Sequence, residues 1–263
     1  MVIFRYIRRI RFGFVGLVFV WMVGMVSILG AKEKLKDPLA DAKKGESCTY
    51  AVEVSSKFGK AVAEMLLKVV RPSFTSIEVS RVTKWKGRKY VLDTKYPTNK
   101  DLLARIQAHL KYSDRKERGW EKFQVKQLKV EKKEVSLKDL GMPFVSKQVV
   151  LVRRRGATDY TYLPNQPAPV KKYRFRCYVI TLQVEGEYFE SRKPSPEMIK
   201  YGSARKNAAK KAKLSAKYWI SYEVPVLGIL KMESTVSKEV LGTLYTATVV
   251  MRLKSYDEIQ VKK

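Results

Sequence analysis

The sequence predicts an α+β chain that is mainly β, with a few helices, preceded by one N-terminal transmembrane helix. Three observations predict it. Apolar residues alternate with polar ones along most of the chain, which is the period of a half-buried strand. Only two internal segments carry helix signals, so predicted strands outnumber predicted helices about four to one. Near the N-terminus, Phe12 to Ala31 reads FGFVGLVFVWMVGMVSILGA, twenty residues without a charge.

Residues 1–11 form a basic n-region in which Arg5, Arg8, Arg9 and Arg11 precede the apolar run. At 1.5 Å per residue, residues 12–31 match the ~30 Å hydrocarbon core of a bilayer, as a signal anchor or a signal peptide. Cleavage after Ala31 would place Leu29 at the −3 position, where a peptidase favours a small residue. The Arg cluster holds the N-terminus in the cytoplasm, so the expected location is a single pass through the inner membrane. The bulk of the chain then lies in the periplasm or extracytoplasmic space. Residues 32–46 are Lys, Asp and Ala-rich and read as a tether. Residues 47–263 are the extracytoplasmic β-rich domain.

Within that domain, Ser47 to Ser55 alternates with Cys48, Tyr50, Val52 and Val54 on one side. Lys60 to Val70 fits helix or strand. Ser73 to Val82 and Arg88 to Asp93 read as strands around a turn at Lys86-Gly87. Thr98 to Tyr112 is the first expected helix, with Leu102, Leu103, Ile106 and Leu110 at helical spacing. Trp120 to Glu131, Gln148 to Arg153 and Tyr173 to Tyr188 read as strands, with a Pro-rich break at Leu163 to Val170. Ser195 to Lys217 is the second expected helix, with Ser195 as cap and Pro196 at its first position. Trp219 to Val224, Gly228 to Thr235 and Gly242 to Lys254 read as the closing strands.

Charge is the compositional outlier, since 54 Lys+Arg against 25 Asp+Glu give a net +29. Such a surface attracts anionic lipid headgroups, acidic polysaccharide or nucleic acid through salt-sensitive forces, and charge alone does not choose among them. It serves solubility equally well. The second expected helix carries Lys200, Arg205, Lys206, Lys210, Lys211, Lys213 and Lys217, which form either an anion-binding face or an ordinary solvated one.

Catalytic signatures are sparse. Neither a GxGxxG nor a GxxxxGK[ST] run occurs, which argues against an ordinary nucleotide enzyme. The one histidine, His109, lacks a second for a metal pair and would have to serve any serine or cysteine triad, so no catalytic, metal or cofactor site is assigned. Cys48 and Cys177 both fall on predicted strands. They either close one disulfide or stay as two buried thiols.

A family resemblance adds to this reading. Phe175-Arg-Cys-Tyr-Val, and then Tyr218-Trp-Ile-Ser-Tyr-Glu-Val-Pro-Val-Leu-Gly-Ile-Leu-Lys-Met-Glu, are similar to a "GtFxC" strand and a "W.S..VP.GivKme" hairpin of uncharacterised bacterial envelope proteins. Gly45-Glu-Ser-Cys-Thr-Tyr-Ala-Val resembles their opening "GeWveYxv" strand without its Trp. Those proteins resemble the lipoprotein-carrier (LolA-like) fold. The resemblance implies a curved antiparallel sheet, a half-barrel with helices in its mouth, whose concave side holds acyl chains. In this chain Val52, Val54, Leu92, Val125 and Val179 are the expected lining.

The functional expectation is a non-catalytic, membrane-anchored extracytoplasmic domain that binds a lipid or amphiphile, such as lipoprotein acyl chains, or an anionic envelope polymer. The alternative is a basic nucleic-acid-binding protein with an N-terminal membrane or organellar anchor. An enzyme of the carboxylate-hydrolase kind would need two acids converging in a pocket.

Overall fold

A computed structural model describes residues 35–73, 75–97, 101–102, 118–142, 144–153, 160–162, 168–169, 174–190, 210–240 and 243–262. The order of elements is β1 (Ser47–Ser56), β2 (Gly59–Pro72), β3 (Ser76–Trp85), β4 (Arg88–Pro97), β5 (Arg118–Ser136), β6 (Ser146–Arg153), β7 (Tyr160–Tyr162), β8 (Ala168–Pro169), β9 (Arg174–Glu190), β10 (Lys210–Ile220), β11 (Ile229–Val240) and β12 (Thr243–Lys262). They build one sheet in the order β4-β3-β2-β1-β12-β11-β10-β9-β5, and every pairing on that path is antiparallel. β6 runs parallel to the C-terminal half of β12 and carries β7 and β8 on its other edge.

Register explains why one face is apolar. Ala63, Val52, Met251, Met232, Tyr218, Ile180 and Val130 are successive cross-strand neighbours over seven strands. All but the half-buried Val130 are core residues, as the strict period of two requires once one face is buried. One residue further along, Glu64, Ala51, Arg252, Lys231, Trp219, Val179 and Glu131 form the matching row on the opposite face.

Three non-strand segments gather at one end of the sheet. Residues 35–46, expected as part of a tether, pack into the core through Leu35, Leu39 and Ala42. Within them Pro38–Asp41 forms a 3-10 turn capped by Asp37, whose carboxylate accepts from the Leu39 N–H at 3.0 Å. The β5–β6 connection adds Leu137, Leu140, Met142 and Val145, and the β10–β11 loop adds Val224, Val226 and Leu227. The hairpin turns β1–β2 and β3–β4, and the paired ends of β11 and β12 at Val240 and Thr243, lie at the other end. Lys86 and Gly87 take φ of 47° and 74°, the pair of left-handed residues a two-residue hairpin needs to match strand twist.

The expected fold class is corrected to a nearly all-β one. Residues 210–217, read as the end of a Lys-rich helix, are strand β10, because Ala212, Leu214, Ala216, Tyr218 and Ile220 are buried while Lys211, Lys213, Ser215 and Lys217 are exposed. Their backbone groups are committed to β9 and β11. β10 stops at Ile220, so the strand expected over Trp219 to Val224 gives way to a loop in which Val226 holds φ +65°. Of the first expected helix only Asp101 and Leu102 are described, with Asp101 bridged to Lys36 and Leu102 fully buried. The rest, with His109, lies outside the described residues.

Among the described residues no helix is long and apolar enough to cross a membrane, and the strands pair into one sheet instead. The expected transmembrane helix and single-pass inner-membrane location are therefore not carried forward. The n-region at 1–11 and the run at 12–31 lie outside the described residues.

Candidate functional site

Four of the five residues expected to line an acyl-chain cavity share the apolar face. Val52, Val54, Leu92 and Val125 stand there by register, while Val179 faces the other way, opposite Trp219. Val52 is 3% exposed, and its neighbours Tyr50, Met65 and Met251 are 2% or less. Side chains with so little accessible surface leave no room for an acyl chain beside them. Val54, Leu92 and Val125 are half-buried nearer the hairpin turns.

Both cysteines are free and buried. Cys48 on β1 donates its thiol hydrogen to the Pro225 carbonyl at 3.2 Å, and Cys177 on β9 lies 3.5 Å from the Phe175 carbonyl. Four strand-to-strand steps separate β1 from β9 in the sheet. Burial pushes the Cys177 thiol up to about 12, with the Glu223 carboxylate adding to it, and pushes Cys48 further still. Neither is a poised nucleophile.

The opposite, polar face gathers the chemistry. Lys211, Lys213, Ser215, Lys217 and Trp219 follow one another along the exposed side of β10. Alternate residues of a strand repeat every ~6.7 Å, so the ammonium groups form a row rather than a cluster. The row begins toward the hairpin-turn end of the sheet and ends on Trp219, whose cross-strand neighbours are Lys231 on β11 and Val179 on β9. The Lys217 and Lys231 ammonium groups lie 5.0 and 5.1 Å from the Trp219 ring centroid. Such contacts contribute about 0.5–1 kcal/mol each at exposed sites and hold the flexible lysines in place.

Arg252 continues the row beyond Lys231. It donates to Glu53 at 2.6 Å, and its Nε–H is buried without a partner under the β5–β6 connection, where a Cβ on Gly141 would stand 3.9 Å away.

Several lysines on this face are neutralised. Lys213 pairs with Glu185 at 2.8 Å and Lys231 with Glu233 at 2.8 Å. Lys129 and Lys133 both grip Glu131, and their hydrogen bonds draw that carboxylate down to about 2. Lys211 and Lys217 pair with no carboxylate among the described residues. Lys210 belongs to the same strand, and Lys200, Arg205 and Lys206 lie outside the described residues. Sequence reasoning singled out Lys211 and Lys213 but missed Trp219, Lys231 and Arg252. Their meeting depends on the β10–β11–β12 register, which no local motif encodes.

No protein-family model matches the sequence, and no curated protein matches it. Among solved structures the chain is similar to a protein from Parabacteroides distasonis ATCC 8503 described as a lipoprotein, at 9% identity and a TM-score of 0.36, over 84% of this chain and 100% of that one. A likeness that distant carries no argument about fold or function.

Proposed function

We propose that this chain is a non-catalytic binding protein for a linear anionic polymer, an acidic polysaccharide of the cell envelope being the fitting class. The observation that carries the reading is the lysine row of β10 ending on Trp219. Cations spaced along one strand, Lys211 and Lys217 on either side of the Glu185-paired Lys213, suit an extended polyanion better than a compact ligand. Lys211 and Lys217, paired with no carboxylate among the described residues, are available to it, and the indole limits the entropy lost when Lys217 and Lys231 are fixed.

Burial of Val52 and its neighbours favours this surface over an acyl-chain cavity. The similarity to envelope proteins of the lipoprotein-carrier fold serves only as the reason to look for the polymer in the envelope. Nucleic acid shares the anionic chemistry, so it enters the test as a competitor.

The experiment is salt elution of the full chain from immobilised heparin, an acidic polysaccharide. The K211Q/K213Q/K217Q variant should elute at clearly lower salt than the wild type. Unchanged elution contradicts the reading, and stronger competition by single-stranded DNA than by free heparin would transfer the row to nucleic acid.

A further inference from the structure

The hairpin-turn end of the sheet carries a second surface that the lysine row does not explain. The β1–β2 turn exposes Phe58 (40%), and Leu244 at the start of β12 is 65% exposed. Val62, close to the same turn on β2, is 66% exposed. Phe58 stacks on Tyr245 with ring centroids 6.0 Å apart and planes at 24°. The Lys57 ammonium sits 3.8 Å from the Tyr245 centroid and 5.3 Å from that of Phe58. At the β3–β4 turn the pattern recurs, with the Lys86 ammonium 5.5 Å from the Trp85 ring. Strand directions place the two turns and the start of β12 at the same end, with Lys60 exposed beside the first turn.

An exposed apolar side chain by itself is ordinary. Several at one end of a sheet, with the β1–β2 and β3–β4 turns each setting a lysine over an aromatic ring, is the combination that seats in a membrane interface. Rings and aliphatic chains enter the headgroup boundary while ammonium groups reach anionic headgroups. A free polyanion offers the lysines a partner but leaves Phe58, Val62 and Leu244 in water.

We propose that the hairpin-turn end docks on an anionic phospholipid surface, with Phe58 and Leu244 inserted at the headgroup boundary and Lys57 and Lys86 against the headgroups. This rests on the reading of the chain as an anion-binding protein and adds a partner and an orientation to it. The β5–β6 connection, at the other end of the sheet, then points away from the lipid.

The test attaches an environment-sensitive fluorophore to the full chain through K60C, near the docking turns, or through K138C at the far end. The native cysteines are buried and leave the added thiol as the reactive one. Vesicles are phosphatidylcholine with or without one quarter phosphatidylglycerol, and contain a headgroup-proximal spin-labelled lipid. The expected result is quenching of the K60C label by at least twofold on the anionic vesicles, little quenching of the K138C label, and loss of the K60C signal in an F58S/L244S background. An unchanged melting temperature shows that this background folds. Equal quenching at both labels, or quenching that survives F58S/L244S, overturns the docking surface. If heparin retention persists in either case, the polymer reading stands without it; if heparin retention is absent too, both fall.

Discussion

Gly228 in the β10–β11 loop lies directly against Pro38 of the 3-10 turn: a Cβ on the glycine would stand 2.5 Å from Pro38 Cγ and 2.9 Å from the Ser221 carbonyl. The glycine also holds φ +71°. The loop and the N-terminal segment are thus fitted to each other at the packed end of the sheet. Gly228→Ala is expected to destabilise the chain by about 1–3 kcal/mol, through backbone strain and a clash that neither partner can relieve by rotating a side chain. The denaturant midpoint measures it, and a change under ~0.3 kcal/mol would contradict the packing described.

Strand β10 supplies a sharper check because neighbouring residues face opposite ways. Ala216→Asp puts an unpaired carboxylate in the core and should cost at least about 3 kcal/mol, whereas Ser215→Asp, on the exposed face, should stay within about 0.5 kcal/mol. Thermal melts of the two variants suffice. Similar costs for both would argue against the register.

This strand also shows what the sequence made legible. The alternation of Ala212, Leu214, Ala216, Tyr218 and Ile220 with Lys211, Lys213, Ser215 and Lys217 is a period of two, present in the text of the chain. Good helix formers, Ala and Lys, together with a capping Ser195-Pro196 signal upstream, favoured the helical reading, and sheet pairing overrode the propensity. The aromatic and β-branched strands β1, β3, β9 and β11 were readable because their alternation and their propensity agree. The Trp219 site was hidden for a different reason. Lys217 is two residues away on the same strand, but Lys231 and Arg252 reach the indole row only through two hairpin registers.

Free, buried thiols predict chemical silence. At pH 8 the thiolate fraction of Cys177, with its pKa pushed up to about 12, is negligible, and that of Cys48 is smaller. Neither should react with a disulfide-exchange reagent in the folded protein, and both should react once guanidinium exposes them. An intact mass two protons low, with no thiol titrating after unfolding, would instead show a bridge.

Glu46 predicts a pH dependence with a definite sign. Desolvation raises its pKa above the ordinary 4.5, although the Lys43 N–H, donating to it at 2.9 Å, and the Lys43 charge partly oppose that. The folded chain therefore keeps the proton after the unfolded chain has released it. Stability from this group is present below about pH 4.5 and is lost as pH rises through the folded pKa. Glu46→Gln, which can still accept from Lys43, should gain stability relative to the wild type between pH 4 and pH 7. A difference that does not vary with pH would contradict the burial of the charge.

In the proposed function, position and not net charge makes the β10 row a binding surface. The direct measurement compares two variants of equal charge, K211Q/K213Q/K217Q on β10 and K84Q/K89Q/K95Q on β3 and β4, by heparin affinity as a function of salt. The β10 variant is expected to lose affinity, with its logarithmic salt dependence falling by about one unit per lysine that contacts the polymer, while the β3–β4 variant stays near the wild type. Equal losses in the two variants would contradict it and leave only the diffuse attraction of a basic protein.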